Sequence, residues 1–521
     1  MHVSPKYLQF LTRAWLPAAS DSGQMSKQRA EAALAAQIQA HPLRVGRGDQ
    51  PLLQVGNNRS LPGSHLRLQN SRHSTPISPV GNLNGRQAGS IGSPLKTKIV
   101  CRRWKEFVVR CWGLIAIVYI HNSEKFECGS FLVLLGDEIM ISKSQKSSRS
   151  VAIVVSLLLL FSSSLLAQTS LWTEEKAKTW YSQQPWLVGS NYIPENAINQ
   201  LEMWQAQTFD PTQIDKELGW AEGMGMNTMR VFLHDLVWQE DPAGFTRRID
   251  QFLQIASRHH IKPLFVFFDS CWDPNPTLGL QHPPIPGVHN SGWVQSPGAE
   301  ALKDPAQEAR LRAYVGGVVG AFANDPRVLG WDVWNEPNNS NEGSYDKQEL
   351  KELKNKTELV EGLLPKIFSW ARAAHPSQPL TSGVWDIDFE NEKPLTKTQH
   401  IQLENSDVIT FHNYDWPEVF EKEVLFLRKF NRPLICTEYM ARGAGSTFDT
   451  VLPVAKKYQV GAINWGFVAG KTQTYLPWDS WQRPYVLEEP TIWFHEVLHP
   501  DGKPYREAEV KLIRELTERG N

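Results

Sequence analysis

VLGWDVWNEPN, residues 328–338, is an apolar run that ends abruptly in the polar pair Asn335 and Glu336. The chain contains seven other short apolar runs, and longer amphipathic stretches separate them. Apolar strands alternating with helical segments are typical of a parallel sheet covered by helices. The predicted strands are WLVGSN (186–191), NTMRVFL (227–233), KPLFVFF (262–268), VLGWDVW (328–334), PLTSGVW (379–385), VITFHNY (408–414), RPLICTE (432–438) and VGAINWGF (460–467).

The helix starts between these strands carry capping signals. Asp210, Pro211 and Gln213 stand where an N-cap, a first-turn proline and a capping-box partner belong, and residues 304–307 repeat the device. Further helices are predicted at about 242–260, 345–375, 416–430, 447–458, 490–498 and 505–518. Eight strand–helix units predict a (β/α)8 TIM barrel over residues 168–521. A doubly wound open sheet is the competing fold, but no glycine-rich phosphate loop follows any strand.

The front of the chain differs from this domain. Residues 1–139 are rich in Ser, Gly, Pro, Asn and Arg without sustained periodicity, which predicts an extension upstream of the native start or a disordered region. Residues 140–167 have a basic start, an apolar run and a small residue, Ala167, as in a secretory signal peptide. We therefore expect a secreted or periplasmic protein. A membrane helix at 151–167 is the alternative, although that run is short for a span.

Charge and cysteine content narrow the classes of partner. The formal net charge is −1, so bulk electrostatics predict neither a nucleic acid nor an anionic membrane as partner. Of five cysteines, Cys271 and Cys436 lie in the predicted barrel, which is too few for a disulfide scaffold; the sequence leaves open whether they are bonded. A monomer is expected.

In a barrel the active site lies at the C-terminal ends of the strands. Two carboxylates at such ends, Glu336 and Glu438, could converge across the barrel mouth, and paired carboxylates are the apparatus of glycoside hydrolysis. The other polar and aromatic residues at these ends are Asn191, Arg230, Asp269, Asn335, Trp385, His412, Tyr414 and Trp465, with His234 and Trp272 close behind.

Four motifs in order, GWDVWNEPNN, HNYDWP, RPLICTEY and INWGF, resemble those of the clan A glycoside hydrolases, closest to the family 5 cellulase and mannanase type. Bacterial proteins of this kind are described as cellulase-like or 1,4-β-xylanase-like. The resemblance covers about residues 186–500. It implies a retaining hydrolase of β-linked glycans, such as β-1,4-xylan, mannan or glucan, that needs no metal and no organic cofactor.

The resemblance also implies roles. Glu336 matches the general acid/base and Glu438 the nucleophile, while Asn335 matches a donor to the sugar 2-hydroxyl. Arg230 matches the Arg that hydrogen-bonds the nucleophile and keeps it ionised. Tyr414 matches the Tyr beside the nucleophile.

Two further matches are His412, for the His near the acid/base, and Trp465, for the aromatic floor of the −1 subsite. Many family members have a His at the end of the third strand, where this chain has Asp269, so subsite contacts are in doubt. Weaker candidates for substrate contact are Asn191, His234, Asp269, Trp272 and Trp385, and a subset of the loop aromatics Trp272, Trp293, Trp416, Trp478 and Trp481 could form sugar platforms.

The mechanism predicted from two carboxylates on one rim is retaining, with the carboxyl groups about 5 to 5.5 Å apart. A glycan-binding barrel without catalysis and a transglycosylase stay open. The proline-rich loop 269–298 could wall off one end of the cleft, favouring exo action, or could line an open groove; its prolines favour a fixed wall over a lid.

HEVLH, residues 495–499, has the His-Glu-x-x-His spacing of zinc proteases. Pro500 disfavours helical geometry at His499, however. The segment is expected in the helical layer after the eighth strand, on the outside of the barrel and away from the strand ends. The zinc peptidase is therefore the least favoured alternative.

Overall fold

A computed structural model of the protein describes residues 170–341, 352–389, 391 and 393–518 in full, and the backbone of four strands before them. The chain divides into two compact units, one formed by residues 17–152 and one that contains residues 153–521. The early strands form two antiparallel pairs, Lys105–Cys111 with Leu114–Ile120 and Phe131–Leu135 with Glu138–Ser142. Most of the segment 1–139, and the signal peptide beyond Ser142, lie outside the described residues, so both remain predictions.

The second unit is built on an eight-stranded parallel sheet. Its strands are β1 (Val188–Asn191), β2 (Thr228–Phe232), β3 (Lys262–Val266), β4 (Gly330–Asp332), β5 (Leu380–Thr381), β6 (Ile409–His412), β7 (Leu434–Glu438) and β8 (Gly461–Asn464). They pair in the order β6-β7-β8-β1-β2-β3-β4-β5. The ends meet where Val384 hydrogen-bonds both Thr410 and His412, which closes the sheet into a barrel. The predicted (β/α)8 barrel is confirmed.

Helices separate the strands. They are α1 (Glu174–Ser182), α2 (Gln200–Trp204), α3 (Pro211–Gly223), α4 (Asp235–Glu240), α5 (Pro242–Arg258), α6 (Ala299–Lys303), α7 (Glu308–Phe322), α8 (Lys356–Ala373), α9 (Lys397–Asn405), α10 (Pro417–Leu427), α11 (Phe448–Lys457) and α12 (Glu507–Thr517). Asp210 caps α3 as predicted, because its carboxylate accepts from the backbone N–H of Thr212 and Gln213. Before α7, residues 305–307 form a short 3₁₀ turn rather than the first α-turn.

The core has two parts. Leu187, Leu264, Leu329, Val408, Ile435 and Ile463 form an apolar cluster contributed by strands around the barrel. A much larger cluster contains the buried faces of the helices and the outward-facing strand residues. Such a fixed framework holds the strand ends in place, so polar side chains there are positioned rather than mobile. Within the described residues, none of the helices combines the length and apolarity that a membrane crossing requires.

One predicted helix is wrong. Residues 490–498 form turns and extended backbone, and Leu498 makes single bridges with Val468 and Pro504. Pro500 follows the segment directly. The side chains of Trp493, Phe494 and Val497 are buried although the backbone that carries them is not helical. HEVLH therefore lies on a loop.

Candidate active site

Glu438, the last residue of β7, lies on a buried polar network. Its Oε1 accepts a hydrogen bond from Arg230 Nη1 at 2.9 Å, and its Oε2 accepts one from the Tyr414 hydroxyl at 2.8 Å. A cation and a hydroxyl on the same carboxylate favour its ionised form. The sequence predicted both neighbours.

Arg230 on β2 organises this network. The guanidinium is fully buried and donates to Asp332 Oδ2 through Nε and Nη2, at 3.0 and 2.8 Å. Its remaining N–H groups reach Asn191 Oδ1 at 3.0 Å and Asn335 Oδ1 at 2.7 Å. Each of the five N–H groups of an arginine thus has an acceptor. These hydrogen bonds hold Glu438, the candidate nucleophile, and Asn335, the residue before the candidate acid/base, in fixed positions.

Glu336 follows β4 and has different surroundings. Its Oε2 accepts from Asn339 Nδ2 at 2.7 Å and from the thiol of Cys271 at 3.3 Å, while its Oε1 lies 2.9 Å from Nδ1 of His412. None of these three neighbours is a permanent cation. The backbone at Glu336 has φ +43°, a conformation that costs a non-glycine residue energy and that occurs often at functional sites.

Burial raises the pKa of both carboxyl groups. For Glu336, the hydrogen bonds from Asn339 and Cys271 oppose that rise only partly. For Glu438, His412, Arg230 and the Tyr414 hydroxyl oppose the rise in pKa, while the charge of Glu336 adds to it. The direct guanidinium contact, which Glu438 has and Glu336 lacks, favours ionisation of Glu438 over ionisation of Glu336.

His412 lies between the two carboxylates. Its Nδ1 is 2.9 Å from Glu336 Oε1 and 3.5 Å from Glu438 Oε2. Burial lowers the pKa of His412 to about 4, so the ring is neutral at neutral pH. A neutral imidazole can hydrogen-bond Glu336 in either protonation state without adding a charge between the two carboxylates.

The two carboxylates are close enough for double displacement. One oxygen of Glu336, one oxygen of Glu438 and a nitrogen of His412 all lie within 4.8 Å of one another. Inverting glycosidases keep their carboxyl groups about 6.5 to 9.5 Å apart to admit a water, whereas retaining ones hold them about 5 to 5.5 Å apart. This separation matches the retaining class.

Asp269 and Asn191 act within the protein. Asp269 Oδ1 accepts from Asn335 Nδ2 at 2.9 Å, and Oδ2 accepts from the Trp293 indole at 2.6 Å. Asn191 donates to the backbone oxygens of Thr437 and Asn464. Direct contact of Asp269 and Asn191 with substrate is thus disfavoured, because their polar atoms already have protein partners. The expected bond from Asn335 to a sugar hydroxyl stays a prediction; its amide nitrogen donates to Asp269 and lies 3.5 Å from Cys271 Sγ.

The aromatic side chains predicted at the strand ends each have a contact within the protein. Trp465 packs edge-on against Phe232 and Trp293, each at 5.9 Å between ring centres. Tyr414 packs edge-on against Trp478 at 5.1 Å. Trp385, after β5, donates from its indole to Asn338 at 2.8 Å.

Three other candidates have contacts elsewhere in the protein. His234 is fully buried and caps α4, so it is a structural residue. Trp416, before α10, is 43% exposed. Trp272 stacks on Trp481 and also packs against the apolar cluster that contains Trp293.

HEVLH lies at the barrel mouth, which corrects its expected place on the outside. His495 is fully buried, and its ring centre is 5.6 Å from those of Tyr414 and Trp478. Its Nδ1 lies 2.6 Å from the backbone oxygen of Met440, and His499 packs against the Trp493 ring at 4.4 Å. Burial lowers the pKa of His495 well below its usual value.

Among the residues that the structure describes, the group able to place three ligand atoms around a metal ion is Glu336, His412 and Glu438, not the HEVLH pair. Arg230 contacts this group directly and would oppose a cation there. Cys271 and Cys436 are free thiols, so the open disulfide question is answered.

Sequence reasoning missed Asp332, Cys271 and Asn339. Asp332 carried a signal, since a carboxylate in the middle of the apolar run VLGWDVW requires a buried partner. Asn339 stands three residues after Glu336 within NEPNN, close enough to reach it. Cys271 had no signal, because its approach to Glu336 depends on the path of the loop after β3.

The chain matches no protein-family model and no curated protein. Solved structures with a similar barrel include a GH5_18 enzyme from Streptomyces cattleya in complex with Manb1-4GlcNAc, with 13% identity, a TM-score of 0.43 and coverage of 64% of this chain and 80% of that one. The endo-β-1,4-mannanase from Thermotoga petrophila has 15% identity, a TM-score of 0.42 and coverage of 65% and 77%.

The exo-β-1,4-mannosidase Op5Man5 from Opitutaceae bacterium strain TAV5 has 16% identity and a TM-score of 0.43; the match covers 64% of this chain and 59% of that protein. At identities and TM-scores this low, the matches carry no argument about this chain. The chemistry of the site therefore has to be argued from its own geometry.

Proposed function

We propose that the protein is a retaining β-glycoside hydrolase. The observation that carries this proposal is the pair Glu336 and Glu438, within 4.8 Å of each other and held by unlike neighbours. The nucleophile needs a negative charge and the acid needs a proton, and the two sets of neighbours supply that difference.

In the first step, a Glu438 oxygen forms a bond to the anomeric carbon of the sugar as the bond to the leaving oxygen breaks. Glu336 gives its proton to that oxygen, so the aglycone departs as a neutral alcohol. The product is a glycosyl ester of Glu438. Trp465 offers an apolar face beneath the sugar ring.

In the second step, Glu336 is ionised and takes a proton from a water at the vacated position. The water oxygen bonds to the anomeric carbon, and Glu438 leaves as a carboxylate. Two inversions give net retention. Arg230 stabilises the charge that returns to Glu438, because it stays hydrogen-bonded to that carboxyl throughout.

The proposed substrates are β-linked plant-type glycans or their oligosaccharides, built from xylose, mannose or glucose. We also propose export with removal of residues 140–167. Amino-terminal sequencing of the mature protein from its native host tests that cleavage.

The test of the activity uses aryl β-xyloside, β-mannoside and β-glucoside, with proton NMR of the sugar released at early times. We expect hydrolysis of at least one glycoside, with the β-anomer appearing first. First appearance of the α-anomer would contradict the double displacement. Binding of glycans with no hydrolysis of any aryl glycoside would instead support a carbohydrate-binding barrel.

A metal-dependent peptidase is the other candidate to exclude. Dialysis against EDTA should leave glycosidase activity unchanged, because proton transfer and nucleophilic attack are both assigned to side chains. Metal analysis of the purified protein accompanies this assay. Stoichiometric zinc, lost together with activity in a His495→Ala variant, would contradict the proposal.

A further inference from the structure

Three loops join into one wall over half of the barrel mouth. They are the loop after β1 (192–199), the loop after β3 (267–298) and the loop after β8 (465–506), which we call the loop wall. These strands and β2 are neighbours in the sheet. The wall therefore stands above β8, β1, β2 and β3, whereas Glu336 follows β4 on the other half.

Hydrogen bonds between backbones hold the loops together. The N–H of Asn290 donates to the Thr472 oxygen at 2.7 Å, and the N–H of Tyr485 donates to the Gly287 oxygen at 2.8 Å. The loop after β1 is attached in the same way, since the N–H of Lys471 donates to the Glu195 oxygen at 2.9 Å. Movement of one loop relative to the others would break these hydrogen bonds.

Side chains also join the loop after β3 to the loop after β8. His289 Nδ1 lies 2.8 Å from the Leu476 oxygen, and its backbone N–H donates to Ser480 Oγ at 2.9 Å. Trp272 and Trp481 stack face to face, with ring centres 5.1 Å apart and planes 9° from parallel. His289, Asn290 and Ser480 are almost wholly buried. The wall is therefore a packed structure rather than a mobile lid.

The wall begins at the edge of the reacting centre. Trp293, from the loop after β3, packs against Trp465, and Trp478, from the loop after β8, packs against Tyr414. Tyr414 in turn hydrogen-bonds Glu438. One sugar ring over Trp465 thus meets the wall on one side directly.

On the opposite half of the mouth, the loop after β6 is short, from Asn413 to Trp416, and the Trp416 ring is 43% exposed. A general acid must stand beside the leaving oxygen, so the leaving group extends on the Glu336 side. The covered half then faces the non-reducing end of the sugar in the −1 position.

We propose that the loop wall leaves room for a single sugar on the non-reducing side of the cleaved bond, so that the enzyme removes one residue at a time from chain ends. This inference rests on the proposed glycosidase function. A fixed wall blocks a second sugar by steric overlap, whatever the identity of the sugar.

The experiment uses the sugar whose aryl β-glycoside the enzyme hydrolyses best. The corresponding β-1,4-linked tetra- and pentasaccharides carry a fluorescent tag at the reducing end, and products are separated by length at early times. We expect tagged products shorter by one residue, together with free monosaccharide. Methylation of the non-reducing 4-hydroxyl should reduce cleavage at least tenfold. Early tagged products shortened by two or more residues would overturn the inference.

Aryl glycosides of the disaccharide give a second readout. Release of the aryl group should show a lag, because the outer sugar must leave first, whereas the monosaccharide glycoside should react without a lag. An immediate release from the disaccharide glycoside would overturn the inference. Absence of hydrolysis from every aryl glycoside would instead refute the proposed function, so the two failures are distinguishable.

A Trp481→Ala variant tests the wall as the cause. Loss of the stack on Trp272 should shorten the lag at least threefold, while Trp416→Ala, in the loop after β6, should retain it. Thermal unfolding followed by circular dichroism shows whether each variant is folded. If a folded Trp481→Ala variant keeps the full lag, the block does not come from this part of the wall, and the inference in its present form is wrong.

Discussion

The surroundings of Glu336 differ from those of Glu438, although both are buried glutamates at the ends of barrel strands. Glu336 contacts an amide, a thiol and a neutral imidazole. Glu438 contacts a guanidinium and a phenol hydroxyl. Neutral donors leave an acid able to hold its proton, and a fixed cation favours a carboxylate. The comparison shows that the neighbouring side chains, rather than the residue type, determine which protonation state is favoured at each glutamate.

The largest effect is expected from Glu438→Gln. An amide cannot form the glycosyl ester, so kcat should fall by about 10⁴-fold or more, while binding of substrate measured by calorimetry stays within a few fold. Glu421→Gln, on the exposed side of α10 where it pairs with Lys457, is the matched control. Appreciable turnover by the Glu438→Gln variant would remove Glu438 from its role.

The next effect is expected from Glu336→Gln. Loss of the acid should slow hydrolysis of substrates with poor leaving groups by about 10² to 10⁴-fold. With a dinitrophenyl leaving group the first step needs no proton, so the aryl group should appear in a burst while the glycosyl-enzyme accumulates. Intact mass spectrometry detects that adduct. Equal losses for poor and good leaving groups would contradict the acid/base role.

A smaller effect is expected from Tyr414→Phe. The variant loses the 2.8 Å hydrogen bond to Glu438 while retaining the ring contact with Trp478. A hydrogen bond to a charged group is worth about 1.5 to 3 kcal/mol, so kcat/KM should fall by about 10-fold to 100-fold. Tyr181→Phe serves as the control, because its hydroxyl bonds a backbone oxygen of Gln459 instead. Similar losses in both variants would indicate a general effect of hydroxyl removal.

The smallest effect is expected at Cys271, and it concerns pH. A thiol hydrogen bond favours ionised Glu336, so it lowers the pKa that burial has raised. As pH rises through that pKa, the acid loses its proton and kcat/KM falls. Cys271→Ala should therefore move the alkaline limb to higher pH, and Cys271→Ser, with a stronger donor, should move it to lower pH.

The shifts at Cys271 should each be within about one pH unit. The acidic limb reports protonation of Glu438 and should not move in either variant, which makes it an internal control. Cys271 is a positioning residue in this account. Shifts of the alkaline limb in the same direction for both variants would show that the thiol acts through packing alone.

The sequence was sufficient for the barrel because each strand is marked by composition and the segments between most strands show helical patterns, one of them with a cap at Asp210. It was also sufficient for the two glutamates, since strand ends converge in this fold. It failed where side-chain partners come from distant loops. The Cys271 contact with Glu336 and the link from Asp269 to Asn335 depend on loop paths that no local pattern encodes.

HEVLH shows the opposite failure. The spacing would suit one helical face, and the segment was assigned to a helix on the outside of the barrel. Tertiary contacts decided otherwise, because Trp493, Phe494 and Val497 are buried from a loop that returns to the barrel mouth. Burial raises the pKa of Glu496 to about 8, so this glutamate is largely neutral at pH 7 and needs no cation partner.

Arg230, with all its N–H groups engaged, also balances electrical charge through the catalytic cycle. Before reaction, one guanidinium stands against two carboxylates, Asp332 and Glu438. When Glu438 becomes a neutral ester, Asp332 still pairs with the cation, and Glu336 has become ionised by giving its proton to the leaving oxygen. The group formed by Arg230, Asp332 and Glu438 therefore changes from a net charge of minus one to zero while the negative charge moves to Glu336. In an Asp332→Asn variant, Arg230 would have no carboxylate in direct contact at the intermediate.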